Sequence, residues 1–188
     1  MTVKVVNGNL LEAKGGAVLL TVDGTARGME GNLVRAFSKV YPDAWEDLEG
    51  RIKYPIGLGS ARIFAIEPDF GCKFSHCLIA STLHHIEVLD DAKKLGIIDS
   101  ALRNCMNIAA NGGLAAVHTA VLVGGWRLEL EQAFDAMLKS YRKTKPTLKV
   151  LPELVVHVLN HSDFVRIREC LKSRGVSFSE GKNGIFIP

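Results

Sequence analysis

The sequence lacks the features that would place it in a membrane or outside the cell. No apolar run in its 188 residues approaches the roughly 20 residues that a membrane-spanning helix needs. Residues 1–11, MTVKVVNGNLL, alternate as a strand does and have no apolar centre of the kind found in secretory signal peptides. We therefore expect a soluble cytoplasmic protein with no membrane partner.

Cysteine is scarce, and its spacing argues against the common metal and disulfide frameworks. The four cysteines, Cys72, Cys77, Cys105 and Cys170, lie far apart, and no two of them form a CxxC pair. Such spacing favours free thiols in a reducing compartment. The sequence therefore predicts no metal site and gives no sign of a cofactor.

A strong excess of positive charge is also missing. The formal net charge is +3, and aromatic residues make up only 7% of the chain. The main basic group has no interleaved aromatic residues on which bases could stack, so it is typical of a solvated helix end. Nucleic-acid binding is thus the least favoured function of the protein. The basic group that would carry it consists of Lys139, Arg142, Lys143, Lys145 and Lys149.

The most informative stretch that is present covers residues 17–37, AVLLTVDGTARGMEGNLVRAF. Its apolar start predicts a buried strand, a glycine-spaced loop follows, and helical spacing begins at Leu33. This arrangement points backbone N–H groups at an anion. Residues 123–127, VGGWR, have the same form after another predicted strand. Two such turns indicate a diphosphate ligand, although each could also be a tight turn that merely requires glycine.

The order of the predicted elements gives the fold class. Strands are predicted at 3–6, 17–22, 61–66, 75–81, 116–123 and 154–159, with amphipathic helices between them. This alternation predicts an α/β protein with a three-layer α/β/α fold around a central mixed sheet. Residues 176–188 predict a C-terminal hairpin extension, and we expect residues 1–188 to form a single domain.

Capping residues and apolar spacing predict several helix boundaries. Asp43 is expected to cap a short helix over 44–49 that Gly50 ends, and Ser162 to cap a helix that stops at Gly175. The helix after the first glycine loop is expected to bury a stripe made of Leu33, Ala36, Phe37 and Val40.

Five segments, taken in order, carry a family resemblance. They are VVNGNLLE, TVDGTARGMEGNLVRAFSKVYP, LIASTLHHIEVLDDAKKLGIIDSALRNC, VLVGGWRLELEQAF and ELVVHVLNHSDFVRIRECL. The series resembles a macrodomain, the ADP-ribose-binding module, and more narrowly the compact single-domain branch of the macrodomains similar to ADP-ribosyl glycohydrolases. The resemblance covers most of the chain up to Leu171 and implies a macrodomain-like fold with ADP-ribose as ligand.

The resemblance also implies how ADP-ribose would lie. Asn9 stands where the family usually has an aspartate that accepts from the adenine amino group, and its amide oxygen can still accept that bond. Trp126 would cover a ribose or a base, or lie at the surface as an ordinary aromatic, and Arg127 would contact phosphate. Asn160 would border the adenine. The implied ligand-binding residues are Gly8, Asn9, Leu10, Asp23, Gly28, Met29, Glu30, Gly31, Asn32, Leu33, Val123, Gly124, Gly125, Trp126, Arg127 and Asn160.

The sequence departs from the family pattern in three places. Glu30 puts an anion into the loop 29–32, where close relatives have Met-Gly-x-Gly. Residues 82–85 contain no lysine and residues 123–127 contain no aspartate, whereas the hydrolases of this branch use both. Binding of ADP-ribose, free or on a protein or nucleic acid, is therefore the favoured function. Hydrolysis of an ADP-ribosyl bond is the alternative.

Asp23 is the candidate catalytic residue of that alternative. It falls where the family often has an asparagine facing the distal ribose, so it could place the ribose or the attacking water. It could also hydrogen-bond its own turn, and a turn or ribose role is favoured over proton transfer.

The polar segment after residue 81 raises the question of a metal site. The possible ligands are His84, His85, Glu87, Asp90 and Asp91, but adjacent histidines in a loop rarely face one ion. A polar loop is favoured, with Asp90 or Asp91 near the N-terminus of the following helix.

Overall fold

An eight-stranded sheet forms the centre of the protein. The computed structural model of the chain describes residues 2–28, 31–123, 128–144, 150–182 and 184–188. Across the sheet the strands follow the order β3-β4-β2-β5-β6-β1-β8-β7. They are β1 (Val3–Asn7), β2 (Ala17–Asp23), β3 (Ala61–Ala65), β4 (His76–Leu83), β5 (Ala116–Ala120), β6 (Glu153–Val158), β7 (Ser179–Gly181) and β8 (Gly184–Ile187).

The five central strands are parallel. β4, β2, β5, β6 and β1 run in one direction, whereas β3 and β8 pair antiparallel with their neighbours. Because parallel strands end at the same edge of a sheet, the loops that follow β2, β4 and β5 meet there. Ligands of open α/β sheets bind at this edge.

Helices cover both faces of the sheet. They are α1 (Asn32–Val40), α2 (Pro42–Arg51), α3 (Asp91–Asn111), α4 (Leu130–Lys143) and α5 (His161–Ser173). One apolar core lies under α3, α4 and α5, with Leu102 and Phe134 at its centre. A second core lies under α1 and α2, where Phe37 and Leu48 pack on β2 and β4. The predicted three-layer α/β/α fold with a mixed sheet is confirmed.

The predicted C-terminal hairpin is present and extends the sheet. β7 pairs with β8, and β8 pairs antiparallel with β1, with Ile185 opposite Val5. Ile185 and Ile187 are buried in the core under α5. The hairpin therefore adds two strands at the β1 side of the sheet. That residues 1–188 form a single domain stays a prediction.

Two predicted helix caps are wrong. α2 begins at Pro42, so Asp43 lies inside its first turn, and Gly50 lies within the helix, which ends at Arg51. Proline suits the first helical position because its φ is fixed near the helical value and it has no N–H to leave unpaired. α5 begins at His161, so the residue in the capping position is Asn160 and not Ser162.

Strand ends and one apolar stripe also differ from the prediction. β4 continues to Leu83, and β5 ends at Ala120. β6 ends at Val158, which leaves Leu159 exposed. In α1 the buried side chains are Val34 and Phe37, and the predicted stripe member Val40 is exposed.

The states of the cysteines and the lengths of the helices can be compared with the expectations from the sequence. All four cysteines are free, and Cys77 and Cys105 are buried. Within the described ranges, no helix combines the length and the apolar character needed to cross a bilayer.

Candidate functional site

A cavity of about 520 Å³ opens where β2, β4 and β5 end. This volume lies in the range of small-molecule sites, roughly 300–1,000 Å³. The wall contains the ends of three strands, the start of α1 and the turn after β5. The lining residues are Thr21, Val22, Asp23, Gly31, Asn32, Leu33, Arg35, Thr82, Leu83, His85, Ala120, Val121, Leu122 and Val123.

The chain leaves β2 through a turn that requires glycine. The Gly24 N–H donates to the Leu83 carbonyl at 2.9 Å, and the Gly24 carbonyl accepts from Ile56 N–H at 2.7 Å. A Cβ at Gly24 would lie 2.2 Å from both the Ile56 carbonyl oxygen and Ser81 Oγ. No side chain fits there, so the turn holds Asp23 firmly at the cavity wall.

The Asp23 carboxylate is buried and fully hydrogen-bonded. Its residue is only 4% exposed. Oδ1 accepts from the Thr25 N–H at 2.9 Å and from the Thr25 hydroxyl. Oδ2 accepts from the His85 N–H at 2.9 Å and lies 3.1 Å from His85 Nδ1. A carboxylate has about four lone-pair sites, so these four contacts use its accepting capacity.

These contacts keep Asp23 ionised. Burial by itself raises the pKa of the Asp23 carboxyl, but the hydrogen bonds from Thr25 and His85 outweigh it, and the pKa is lowered overall. The carboxylate is therefore a weak base that organises the residues around it.

His85 places an imidazole at the cavity wall, and its side chain is 45% exposed. Its Nδ1 lies 3.1 Å from the Asp23 carboxylate and 2.8 Å from Thr25 Oγ1. An ionised carboxylate can only accept, so Nδ1 carries the proton. The hydrogen-bond network thus assigns the Nδ1–H tautomer. Within the described part of the chain, no residue hydrogen-bonds Nε2, whose lone pair is available in the neutral ring.

The adjacent His84 has a different role. Its Nδ1 lies 2.9 Å from Glu87 Oε1, and its Nε2 lies 2.8 Å from the Ile56 carbonyl oxygen. Both partners only accept, so the protonated imidazolium satisfies both contacts. Burial lowers the pKa of His84, but the contacts with Ile56 and Glu87 outweigh it and raise the pKa. His84 therefore ties the loop after β4 to the rest of the fold.

The N-terminus of α1 forms another part of the wall. Gly31 occupies the capping position, and no side chain there accepts a hydrogen bond from the first turn. Uncapped N–H groups at a helix N-terminus favour an anion. Arg35, one turn further on, also lines the cavity. Of the loop residues predicted to bind ligand, Gly31, Asn32 and Leu33 line the cavity and Gly28 does not, while Met29 and Glu30 lie outside the described residues.

The second predicted turn reaches the same cavity. Val123, its first residue, lines the wall together with Val121 and Leu122. The Val123 N–H donates to the Val121 carbonyl at 2.8 Å, so the chain turns sharply after β5. Gly124, Gly125, Trp126 and Arg127 lie outside the described residues, and their ligand contacts stay predictions.

The residues expected near adenine lie at the ends of β1 and β6, outside the cavity lining. The Gly8 N–H donates to the Val158 carbonyl, and Asn9 Oδ1 accepts from the Leu11 N–H at 3.0 Å. Leu10 is buried in the core under α1 and α2. Asn160 Nδ2 donates to Asp163 Oδ2 at 3.3 Å. The Asn9 oxygen thus already caps a short 3-10 turn.

Two charged or titratable residues of the wall, Arg35 and His85, were not predicted to bind the ligand. Arg35 follows Asn32 by three residues and so lies on the same side of α1, a spacing that could have revealed it. His85 was considered only as a metal ligand, and the described residues contain no cluster that could hold a metal ion.

Asp90 caps α3, since its Oδ1 accepts from the Lys93 N–H at 2.8 Å.

Comparisons with known proteins show which fold this is. No protein-family model matches the sequence, and no curated protein sequence matches it. Among solved structures, a point mutant of the Oceanobacillus iheyensis macrodomain matches with a TM-score of 0.75 at 12% identity, covering 92% of each chain. Another mutant of that macrodomain, described with ADPR, matches with a TM-score of 0.68 at 12% identity, covering 93% of this chain and 94% of that one.

A third similar structure comes from another organism. The macrodomain of Mycobacterium tuberculosis DarG matches with a TM-score of 0.61 at 18% identity, covering 84% of this chain and 98% of that one. The three-layer architecture with a mixed sheet therefore defines an α/β protein. In particular, the chain has the macrodomain fold.

Proposed function

We propose that the cavity binds ADP-ribose, either free or as an ADP-ribosyl group attached to a protein or nucleic acid. The observation that carries the proposal is that residues 31–33 and Val123 line one cavity. The described ends of the two glycine turns predicted from the sequence therefore line a single space. A diphosphate between them would receive N–H groups of the α1 N-terminus.

Arg35 supplies the positive charge that such a ligand needs. Its side chain lines the cavity, and within the described ranges no carboxylate forms an ion pair with it. A guanidinium is suited to phosphate because it offers two parallel N–H donors. The solved macrodomain described with ADPR supports the same ligand class.

The topology supports one orientation of the ligand. The strand order β4-β2-β5-β6-β1 puts residues 8–10 and Asn160 at one end of the edge and the loop after β4 at the other. With the diphosphate between β2 and β5, adenine would lie over β6 and β1, and the distal ribose would lie over β4. Gly8, Asn9, Leu10 and Asn160 are thus proposed for the adenine end.

Titration calorimetry tests the proposal. ADP-ribose should bind, and AMP, which has one phosphate and no distal ribose, should bind more weakly. Arg35→Ala should weaken ADP-ribose binding by about 10- to 100-fold, the usual loss for a charged hydrogen bond. Lys39→Ala is the matched control, because Lys39 is an exposed cation on the same helix that does not line the cavity. Equal binding of ADP-ribose and AMP, or no binding of either, would contradict the proposal.

Hydrolysis of an ADP-ribosyl bond is the second candidate function. Asp23 at the cavity wall favours it, although the chain has no lysine in 82–85 and no aspartate in 123–127. Release of ADP-ribose from mono-ADP-ribosylated protein or DNA, compared between the wild type and Asp23→Ala, tests it. Equal release by both would exclude a role for Asp23.

Nucleic-acid binding through the basic group is less well supported. Lys139 already pairs with Asp135 at 2.7 Å, and Lys145 and Lys149 lie outside the described residues. Filter binding over a salt series would show a steep loss of affinity if this surface were a binding site. The cytoplasmic location stays a prediction.

A further inference from the structure

The loop after β4 contains two adjacent imidazoles whose surroundings differ. Both nitrogens of His84 contact acceptors, Glu87 and the Ile56 carbonyl, so this ring is fixed and has no lone pair to offer. Among the described residues, only the Nδ1 of the His85 ring has a hydrogen-bond partner, and His85 lines the cavity. One imidazole therefore holds the loop, and its neighbour presents Nε2 as an acceptor at the ligand site.

Asp23 fixes how His85 presents that nitrogen. The same Oδ2 accepts from the His85 backbone N–H at 2.9 Å and lies 3.1 Å from Nδ1. One oxygen therefore fixes the position of the loop backbone and the orientation of the imidazole ring. With Thr25 on its other oxygen, the carboxylate has no lone pair left for a ligand or a water. Asp23 can therefore act on a ligand only through its neighbours.

From this arrangement we infer that His85 is the catalytic residue of an ADP-ribosyl hydrolase site, with Asp23 as its positioning residue. The inference rests on the ADP-ribosyl binding proposed above, in which the distal ribose lies over β4. An imidazole whose Nδ1 lies beside a buried carboxylate, and whose Nε2 has no hydrogen-bond partner among the described residues, is suited to general-base catalysis.

The reaction is a hydrolysis in which His85 carries one proton. The oxygen of a water molecule forms a bond to C1 of the distal ribose, and Nε2 takes a proton from that water. The bond between C1 and the oxygen or nitrogen of the carrier breaks, and its electron pair stays on the carrier atom. The proton then moves from Nε2 to the carrier. One water is consumed, and ADP-ribose and the unmodified carrier are released.

His85→Gln separates catalysis from binding. The side chain of His85 is half exposed, so the substitution should leave the fold intact. An ester-linked mono-ADP-ribosyl peptide and a mono-ADP-ribosylated DNA oligonucleotide serve as the two substrates. Release of ADP-ribose should fall about 100-fold or more, as expected when a general base is removed. The dissociation constant for ADP-ribose should change less than threefold. His76→Gln, which removes an imidazole at the start of β4, far from the strand ends that line the cavity, should release ADP-ribose at the wild-type rate.

Two further measurements separate a catalytic role of His85 from a purely structural one. Added imidazole should restore part of the activity of His85→Ala. The ring ¹⁵N signals of His85 should show the Nδ1–H tautomer in the wild type and lose that preference in Asp23→Asn.

The outcomes distinguish this inference from the proposed function. If ADP-ribose binds but the wild type releases none from either substrate, or if His85→Gln is as active as the wild type, the role of His85 is refuted and binding stands. An Nε2–H tautomer in the wild type would also refute it. If ADP-ribose does not bind at all, the proposed function itself fails.

Discussion

Two imidazoles on neighbouring strands of the sheet should make the protein lose stability in mild acid. His118 of β5 and His157 of β6 lie side by side, with His118 Nδ1 at 3.0 Å from His157 Nε2. His157 is 8% exposed, and its Nδ1 has no partner among the described residues. Burial, with repulsion from His118 and Lys4, lowers the pKa of His157 to about 4. The folded state therefore favours the neutral form of this ring.

The sign and the size of the effect follow from this pKa. The folded-state pKa lies below the ordinary value of 6.5, so the stabilising contribution is complete above pH 6.5 and is lost as the pH falls from there towards 4. At 1.36 kcal/mol per pKa unit, the full loss is about 3 kcal/mol, and roughly 2 kcal/mol of it falls between pH 7 and pH 5. The raised pKa of His84 acts in the opposite direction, because its contribution is complete below pH 6.5 and is lost as the pH rises through the folded-state value.

Urea unfolding of matched variants isolates the contribution of His157. The free energy of unfolding is measured at pH 7, 6 and 5 for the wild type, His157→Gln and His161→Gln. The stability difference between the wild type and His157→Gln should fall by roughly 2 kcal/mol from pH 7 to pH 5. His161→Gln is the control and should follow the wild type. Parallel curves for the wild type and His157→Gln would refute the reasoning.

Packing and surface charge give two further predictions. Gly24→Ala should lower the free energy of unfolding by roughly 1–3 kcal/mol, because the added Cβ would lie 2.2 Å from the Ile56 carbonyl oxygen. Gly50→Ala, in α2 where nothing lies within 4 Å, should raise it by about 0.5–1 kcal/mol in the same urea assay, and equal effects would contradict the packing argument. Arg166→Ala breaks an exposed ion pair with Glu131 and should leave the midpoint of thermal unfolding close to that of the wild type. A clear fall in that midpoint would show that this pair stabilises the fold more than surface ion pairs usually do.

The centre of the sheet could be predicted from the sequence because β2, β4 and β6 are apolar runs that are buried along almost their whole length. Helix faces were harder to predict, and α1 shows why. The letters LVRAFSKVY allow one stripe through Leu33 and Phe37 and another through Val34 and Phe37. The second is buried, and it continues to Tyr41, whose hydroxyl donates to the Leu11 carbonyl at 2.9 Å. Leu33 and Ala36 of the first stripe are only partly buried against the same core, so tertiary packing and not the local spacing determines which face is covered.

The partner of Asp23 depends on a structural detail that no local pattern encodes. β2 and β4 pair in regular register from Ala17 to Val22, which lies opposite Ser81, but Asp23 then lies opposite Leu83 instead of Thr82. This one-residue shift brings Asp23 closer to the loop after β4 and within reach of His85, 62 residues away in the chain. Bulges of this kind redirect side chains at the ends of strands. A glycine turn can be recognised from its letters, but a carboxylate–imidazole pair formed across a bulge cannot. The glycine turns could therefore be predicted at the cavity where we propose that ADP-ribose binds, whereas the residue that we infer acts on the ligand could not.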